Sequence, residues 1–311
     1  MVRILFVAVV LLMSTVEAAE LAVGPRLQES SVAIKKSYSD VGSGTIILRT
    51  IEGKQVAWVL TAAHVIDNLR SVETVIAPDG TERKQVTYKD AELMQQIRQG
   101  GRPVRQILDF AKVVSVDKQR DIGLLRVRAD GGYSQGAIFW LEEGLPAVGT
   151  LIYHVASPGG GNLNDASVTA GIVAQVGRSI EEFGGAEAVY DQSDAGALPG
   201  SSGGMIALQS DGRWIGMITL GLRGTDSFHY FVPIRRVREW AKTINALWLL
   251  DPKEKQPTED ELLKIPLENT PVAFNRPKSG SAGGAASIET MELPILDRPR
   301  RLSELEQQAR P

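Results

Sequence analysis

The sequence predicts an all-β protein of two packed barrels, and three observations carry that prediction. From Ser31 to about Phe231 the chain runs in short apolar or alternating segments, among them Thr45-Ile-Ile-Leu-Arg, Val56-Ala-Trp-Val-Leu-Thr, Ile122-Gly-Leu-Leu-Arg-Val and Trp214-Ile-Gly-Met-Ile-Thr-Leu. Gly, Pro and Asp turns separate them with no helical periodicity between, which argues against an alternating α/β sheet. The 311 residues, 43 % hydrophobic, suffice to bury one large core or two small ones.

Taken in order, residues 1–18 read as a secretory signal peptide. One arginine precedes the apolar run Ile4 to Met13, and the small-residue pattern Val16-Glu17-Ala18-Ala19 follows. The run is shorter than the roughly 20 apolar residues of a transmembrane helix, so no stable membrane insertion is expected after cleavage. The chain has no Cys, which excludes disulfides, thiolate zinc ligands and a Cys nucleophile. Bacterial export, to the periplasm or beyond, fits this composition. With 34 Lys plus Arg against 37 Asp plus Glu, the net charge of −3 gives no footprint for nucleic acid.

The folded body is placed at 19–250. Within it, residues 90–99 read as a helical excursion ahead of Gly100-Gly101-Arg102-Pro103. Met205-Ile-Ala-Leu, Ser210-Asp-Gly-Arg and Trp214-Ile-Gly-Met read as a hairpin. From Pro233 to Leu250, Ile234, Val237, Trp240, Ala241, Ile244 and Leu247 recur at helical spacing, and Pro233 suits the helix start. Arg235, Arg236 and Arg238 read as its solvated face. Residues 251–311 hold eight of the 15 Pro and the run Ser279 to Ser287 of Gly, Ser and Ala, so they read as a mobile tail. A capping box at Thr258 and Glu261 and a stretch after Ser303 are its candidate short helices.

Acyl transfer at neutral pH needs a hydroxyl nucleophile, an imidazole base, a carboxylate to orient the imidazole and donors for the oxyanion. Each is present. His64, one of three His, lies in Leu60-Thr-Ala-Ala-His-Val-Ile at a strand end; Asp121 opens Asp121-Ile-Gly-Leu-Leu; Ser202 lies in Gly200-Ser-Ser-Gly-Gly204. A structural His, a strand-leading Asp and a chance Gly/Ser turn explain each piece singly. The chain order His, Asp, Ser makes the combination specific.

At these residues the sequence resembles the trypsin-like peptidases of chymotrypsin fold, and among them the bacterial HtrA-type branch. The matching segments are Gly42-Ser-Gly-Thr-Ile, Thr61-Ala-Ala-His-Val, Arg120-Asp-Ile-Gly-Leu-Leu, Val155-Ala-Ser-Pro-Gly-Gly, Val168-Thr-Ala-Gly-Ile-Val-Ala, Gln192 to Gly204 and Phe231-Val-Pro-Ile. The resemblance implies two packed six-stranded antiparallel barrels. It implies Ser202 as nucleophile, His64 as general base and then acid, and Asp121 as orienter. The oxyanion hole would be the N–H groups of Gly200 and Ser202. Thr219, Leu220 and Gly221 would pair with extended substrate, and Gly196, those three residues and His229 would line the specificity pocket. Protein or peptide substrates are the implied partners, with no cofactor and no metal.

Departures narrow the resemblance. Ser201 stands where digestive relatives carry the acidic residue of zymogen activation, so no activation through that ion pair is expected. Gly196 at the pocket base disfavours Lys or Arg specificity and leaves small or medium apolar side chains, while His229 offers an alternative reading of acidic or amide ones. HtrA-type chains typically continue into a PDZ domain and this one runs into the Pro-rich stretch, so PDZ-linked regulation is not carried over. Two rival functions are a silent protease-fold module that binds peptides and an α/β-hydrolase esterase built on Ser202, Asp211 or Asp226, and His229.

Overall fold

The computed structural model describes residues 23–35, 41–78, 80–99, 102–129, 132–158, 166–179, 189–221 and 228–268. A helical segment over 23–29, α1, precedes the first barrel. That barrel is made of β1 (Ser31–Lys35), β2 (Val41–Ile51), β3 (Lys54–Thr61), β6 (Ala91–Gln99), β7 (Arg102–Asp117) and β8 (Ile122–Val127), closed in the order β1-β2-β3-β8-β7-β6. The second holds β9 (Leu151–Ala156), β10 (Ser167–Ser179), β11 (Val189–Ser193), β12 (Met205–Leu208), β13 (Trp214–Gly221) and β14 (His229–Pro233), closed as β10-β11-β14-β13-β12-β9. Neighbouring strands are antiparallel throughout both barrels. A separate ribbon pairs β4 (Arg70–Ile76) with β5 (Glu82–Tyr88). The all-β, two-barrel expectation is what the chain adopts.

Many strands are buried on both faces, and closure leaves no free edge where it is complete. Ile46, Ile47, Trp58, Leu60, Leu124 and Leu125 are buried in the first barrel, and Ile152, Val155, Trp214, Met217 and Phe231 in the second. The connector between them is stitched to both. The Ala137 N–H donates to the Ile46 carbonyl of β2 (2.8 Å), while Trp140 N–H donates to Trp214 O (3.0 Å) and Trp214 N–H to Ile138 O (2.7 Å). Phe139 meets the Trp214 ring edge-on at 5.1 Å.

Three expectations change. Residues 90–99 are not helical: β6 pairs with β1 and β7, with Ala91, Leu93 and Gln95 buried and Glu92 between them exposed. Two strands flanking this segment impose period two on a composition that favours helix. The arginines of α2 (Ile234–Thr243) are not a solvated face. Arg235 forms a two-point ion pair with the fully buried Asp191 (2.8 and 2.5 Å), which also accepts from Gly177 N–H (2.9 Å). Arg236 is buried, lies 4.7 Å over the Tyr190 ring and donates to the Gln119 carbonyl.

The third change is the expected tail, which is docked on the first barrel as far as Glu268. There α3 (Glu259–Leu262) carries the capping box: Glu261 N–H donates to Thr258 Oγ1 (3.2 Å) and Thr258 N–H to Glu261 Oε2 (2.8 Å). Arg126 grips Glu259 through two 2.6 Å bonds, Val116 N–H donates to Leu267 O, and Arg70 and Tyr88 both donate to Glu268. Arg70 holds the Glu268 carboxyl below its ordinary pKa. Proline content averaged over 251–311 hides the anchors Leu262, Ile265 and Leu267. The leader at 1–18, the Gly/Ser run and the stretch after Ser303 lie outside the described residues. Among the described residues no helix is long and apolar enough to cross a membrane.

Candidate active site

β3 ends at Thr61, and a single 3-10 turn, Ala63–Val65, follows. Ala63 and Val65 are buried by it, so His64 is the side chain the turn sends outward, 43 % exposed. Asp121 occupies the turn into β8 with φ of 56°, a left-handed conformation that Asp tolerates better than most residues. Gly123 lets β8 close on the His64 turn, since a Cβ there would stand 2.8 Å from Ile66 Cδ1.

One carboxylate holds the histidine at two points. Asp121 Oδ1 accepts the His64 backbone N–H (3.0 Å), and His64 Nδ1 lies 3.1 and 2.9 Å from the two Asp121 oxygens. An ionised carboxylate only accepts, so Nδ1 carries the proton and Nε2, across the ring, is left as a base. From β13, Thr219 Oγ1 donates to Asp121 Oδ2. Thr219, expected as a substrate contact, therefore also orients the carboxylate. A buried hydroxyl in an apolar strand was the signal, and its partner lay 98 residues away.

Ser202 sits half-buried in the loop between β11 and β12. Its neighbour Gly203 has φ of 86°, and a Cβ there would fall 2.0 Å from Ser43 O and 2.4 Å from Thr61 Oγ1. Only glycine permits this approach, which lays the Ser202 loop against Thr61 and Ala62, the latter two residues before His64. Gly200 has φ of 97°. Ser201 N–H donates to Leu198 O (2.9 Å), Gly204 N–H to Ser201 O (2.8 Å), Gly203 N–H to Ile218 O (2.8 Å), and Ser43 N–H to Ser202 O (2.8 Å). Among the described residues, the Gly200 and Ser202 N–H groups have no intramolecular acceptor. Two free donors on either side of Ser201, beside a serine hydroxyl, could receive a developing oxyanion.

Next to this loop, one peptide plane is held from both sides. Gly196 O accepts from His154 Nδ1 (3.0 Å) and Thr169 Oγ1 (2.8 Å), while Ala197 N–H donates to His229 Nε2 (3.2 Å). His229 thus serves as an acceptor for the backbone, and its ring also underlies Gly221, whose absent Cβ would stand 3.2 Å from Nδ1. A Cβ at Gly196 would meet nothing within 4 Å. His154, not singled out from the sequence, is buried in β9, and burial pushes its pKa down to about 4, with the nearby His229 acting in the same direction and the Gly196 carbonyl opposing. Thr219, Leu220 and Gly221 end β13. Beyond Ile218, the edge facing away from β14 has no partner strand among the described residues.

Among the described residues the esterase arrangement is not formed, because Ser202 is followed by strand β12 and not a helix and Asp211 is engaged by Arg213; Asp226 lies outside the described residues. No cluster of His, Asp and Glu suited to a metal occurs among the described residues.

Comparison with known proteins gives one family. Residues 42–217 match the trypsin-like peptidase domain. A probable periplasmic serine protease do/HhoA-like of Haemophilus influenzae is 29 % identical over 185 residues, 60 % of this chain and 32 % of the relative. The putative serine protease HhoB of Synechocystis is 26 % identical over 65 % of this chain and 40 % of its own, and the serine protease Do-like HtrA of Lactobacillus helveticus 29 % over 60 % and 37 %. The chain thus spans about a third to two-fifths of these relatives' lengths. In fold it is similar to Deg5 (TM-score 0.51, 21 % identity, 72 % of this chain and 92 % of that one). The serine endoprotease from Yersinia pestis gives 0.50 at 17 % identity over 72 % and 65 %. With the matched domain covering more than half of its residues, this chain belongs to the trypsin-like peptidase family.

Proposed function

We propose that the protein is a serine endopeptidase working through an acyl-enzyme. Ser202 Oγ attacks the scissile carbonyl carbon while its proton passes to His64 Nε2. The carbonyl oxygen, now negative, is received by the Gly200 and Ser202 N–H groups. Nε2 then gives the proton to the leaving amine as the C–N bond breaks. Water repeats the sequence on the ester and frees Ser202. Asp121, itself held by Thr219, keeps Nδ1–H inward and stabilises the imidazolium.

The observation that carries this reading is the joint presence of the Asp121–His64 two-point contact and the two free amides flanking Ser201. Substrate lies extended along Thr219, Leu220 and Gly221, where main-chain pairing selects unfolded segments. Its side chain before the cut enters the pocket over Gly196, which His229 and His154 hold open, and small or medium apolar groups suit a base without an acidic residue. Residues 1–18 act as an export leader, in keeping with the relative named as periplasmic.

Casein digestion by the full chain, compared with Ser202→Ala, tests the reading. The unaltered protein should cut casein and the variant, still folded, should not. Equal cleavage by both would sink the assignment, and binding without cleavage by either would favour a silent peptide-binding module.

A further inference from the structure

The segment Gly42-Ser43-Gly44 lies in the first barrel, outside the residues assigned a chemical task, yet Ser43 is fully buried and makes four hydrogen bonds. Its Oγ donates to Gly200 O (2.7 Å) and accepts from Ser157 N–H (2.8 Å) at the end of β9. Its N–H donates to Ser202 O (2.8 Å), and its carbonyl accepts from Thr61 Oγ1 (2.7 Å). Glycines on both sides make room, because a Cβ at Gly42 would stand 2.4 Å from Val65 Cγ1 and one at Gly44 2.4 Å from Val59 Cγ1.

A trans peptide is planar, so fixing its carbonyl also fixes the opposed N–H. Three consecutive planes of the nucleophile loop are fixed this way. The Gly200–Ser201 plane is held by Ser43 Oγ at its carbonyl and by Leu198 O at its N–H. The Ser201–Ser202 plane is held at its carbonyl by Gly204 N–H, which leaves Ser202 N–H pointing away and free. The Ser202–Gly203 plane is held by Ser43 N–H and by Ile218 O. Ser43 thus grips the first and third planes, on either side of the one that presents an oxyanion donor. The Ser201 hydroxyl, standing where digestive relatives place an acidic residue, accepts only the local Leu198 N–H (3.2 Å) among the described residues.

We infer that Ser43 is a positioning residue for the oxyanion hole: its hydroxyl, reaching across from the first barrel, holds the nucleophile loop in its donating shape. This rests on the peptidase reading above. Replacing Ser43 by Ala leaves Gly200 O and Ser157 N–H without their partner and frees the first plane to rotate.

The test measures kcat and KM of Ser43→Ala on a fluorogenic peptide, and Ki for a peptide boronate, which mimics the tetrahedral adduct. Ser115→Ala is the control, since Ser115 Oγ, on β7, donates to Pro266 O in an equally buried setting and makes no bond to the Ser202 loop among the described residues. Ser43→Ala should lower kcat about 10- to 100-fold, less than the ~10²–10³ lost with an oxyanion donor itself. KM should stay within about twofold, the boronate Ki should rise in proportion to the loss in kcat/KM, and the control should keep its rate. Unchanged kcat, or equal weakening of substrate and boronate, overturns the inference. If Ser43→Ala does not fold, Ser43→Cys, of similar size with a weak S–H donor, decides: intermediate kcat supports it and full kcat overturns it. Failure of the unaltered protein to cut casein removes the peptidase reading, and this inference with it.

Discussion

The first barrel furnishes the site with charged side chains, the second with backbone. His64 and Asp121 come from the β3 and β8 ends of the first barrel and hold each other directly. Around Ser202, in the second, the groups proposed to work are the N–H donors of Gly200 and Ser202 and the open edge of β13, while His154 and Thr169 spend hydrogen bonds on Gly196 O and His229 on Ala197 N–H, all of them main chain. A proton relay needs titratable groups at fixed distance, whereas an oxyanion hole needs only oriented peptide planes. This division predicts different failures in the two halves.

The largest effect is expected where one charge carries the relay. Asp121→Asn presents an amide to His64 Nδ1 and favours the tautomer with the proton on Nε2, so kcat should fall about 10⁴-fold while thermal stability changes little. A loss below about tenfold would break the comparison on the first-barrel side. In the second barrel the cost should appear as stability. Arg235→Ala strands the buried Asp191 carboxylate and should cost about 3–5 kcal/mol in urea unfolding, with kcat of the folded fraction within a few-fold. Asp191→Asn added to it should recover part of the loss, and no recovery would mean that packing of the Arg235 stem is what matters.

The smallest effect is a pH dependence. The His154 value near 4 lies below its ordinary 6.5, so the unfolded chain binds a proton in that interval that the folded one refuses. Its contribution to stability is complete above about 6.5 and is lost as pH falls towards 4. Urea titrations of the protein and of His154→Gln should differ in slope across this window by up to one proton. Identical slopes would show that His154 is not the neutral support of the pocket base described above.

Much of this architecture was legible in the sequence, because short apolar runs bounded by Gly, Pro and Asp turns are local signals. The placing of His64, Asp121 and Ser202 rested on chain order and on motifs in register. What stayed hidden depends on distant partners. Residues 90–99 have helical composition, and only pairing with β1 and β7 makes them a strand. Arg235 and Arg236 follow a helical pattern, and nothing local says that Asp191 and Tyr190 lie beneath them. Leu262, Ile265 and Leu267 are few among prolines, yet they and Glu268 dock the chain on the first barrel. Thr219 and Ser43 show the same limit within the site, where a hydroxyl in an apolar strand announces a partner without naming it.

The central claim, that Ser202 is a nucleophile activated by His64, is tested most directly by treating the full chain with a fluorophosphonate and locating the adduct by mass spectrometry. A single adduct on Ser202, absent in His64→Ala and strongly slowed in Asp121→Asn, is the predicted result. An adduct on another residue, or labelling of Ser202 at the same rate without His64, would contradict it.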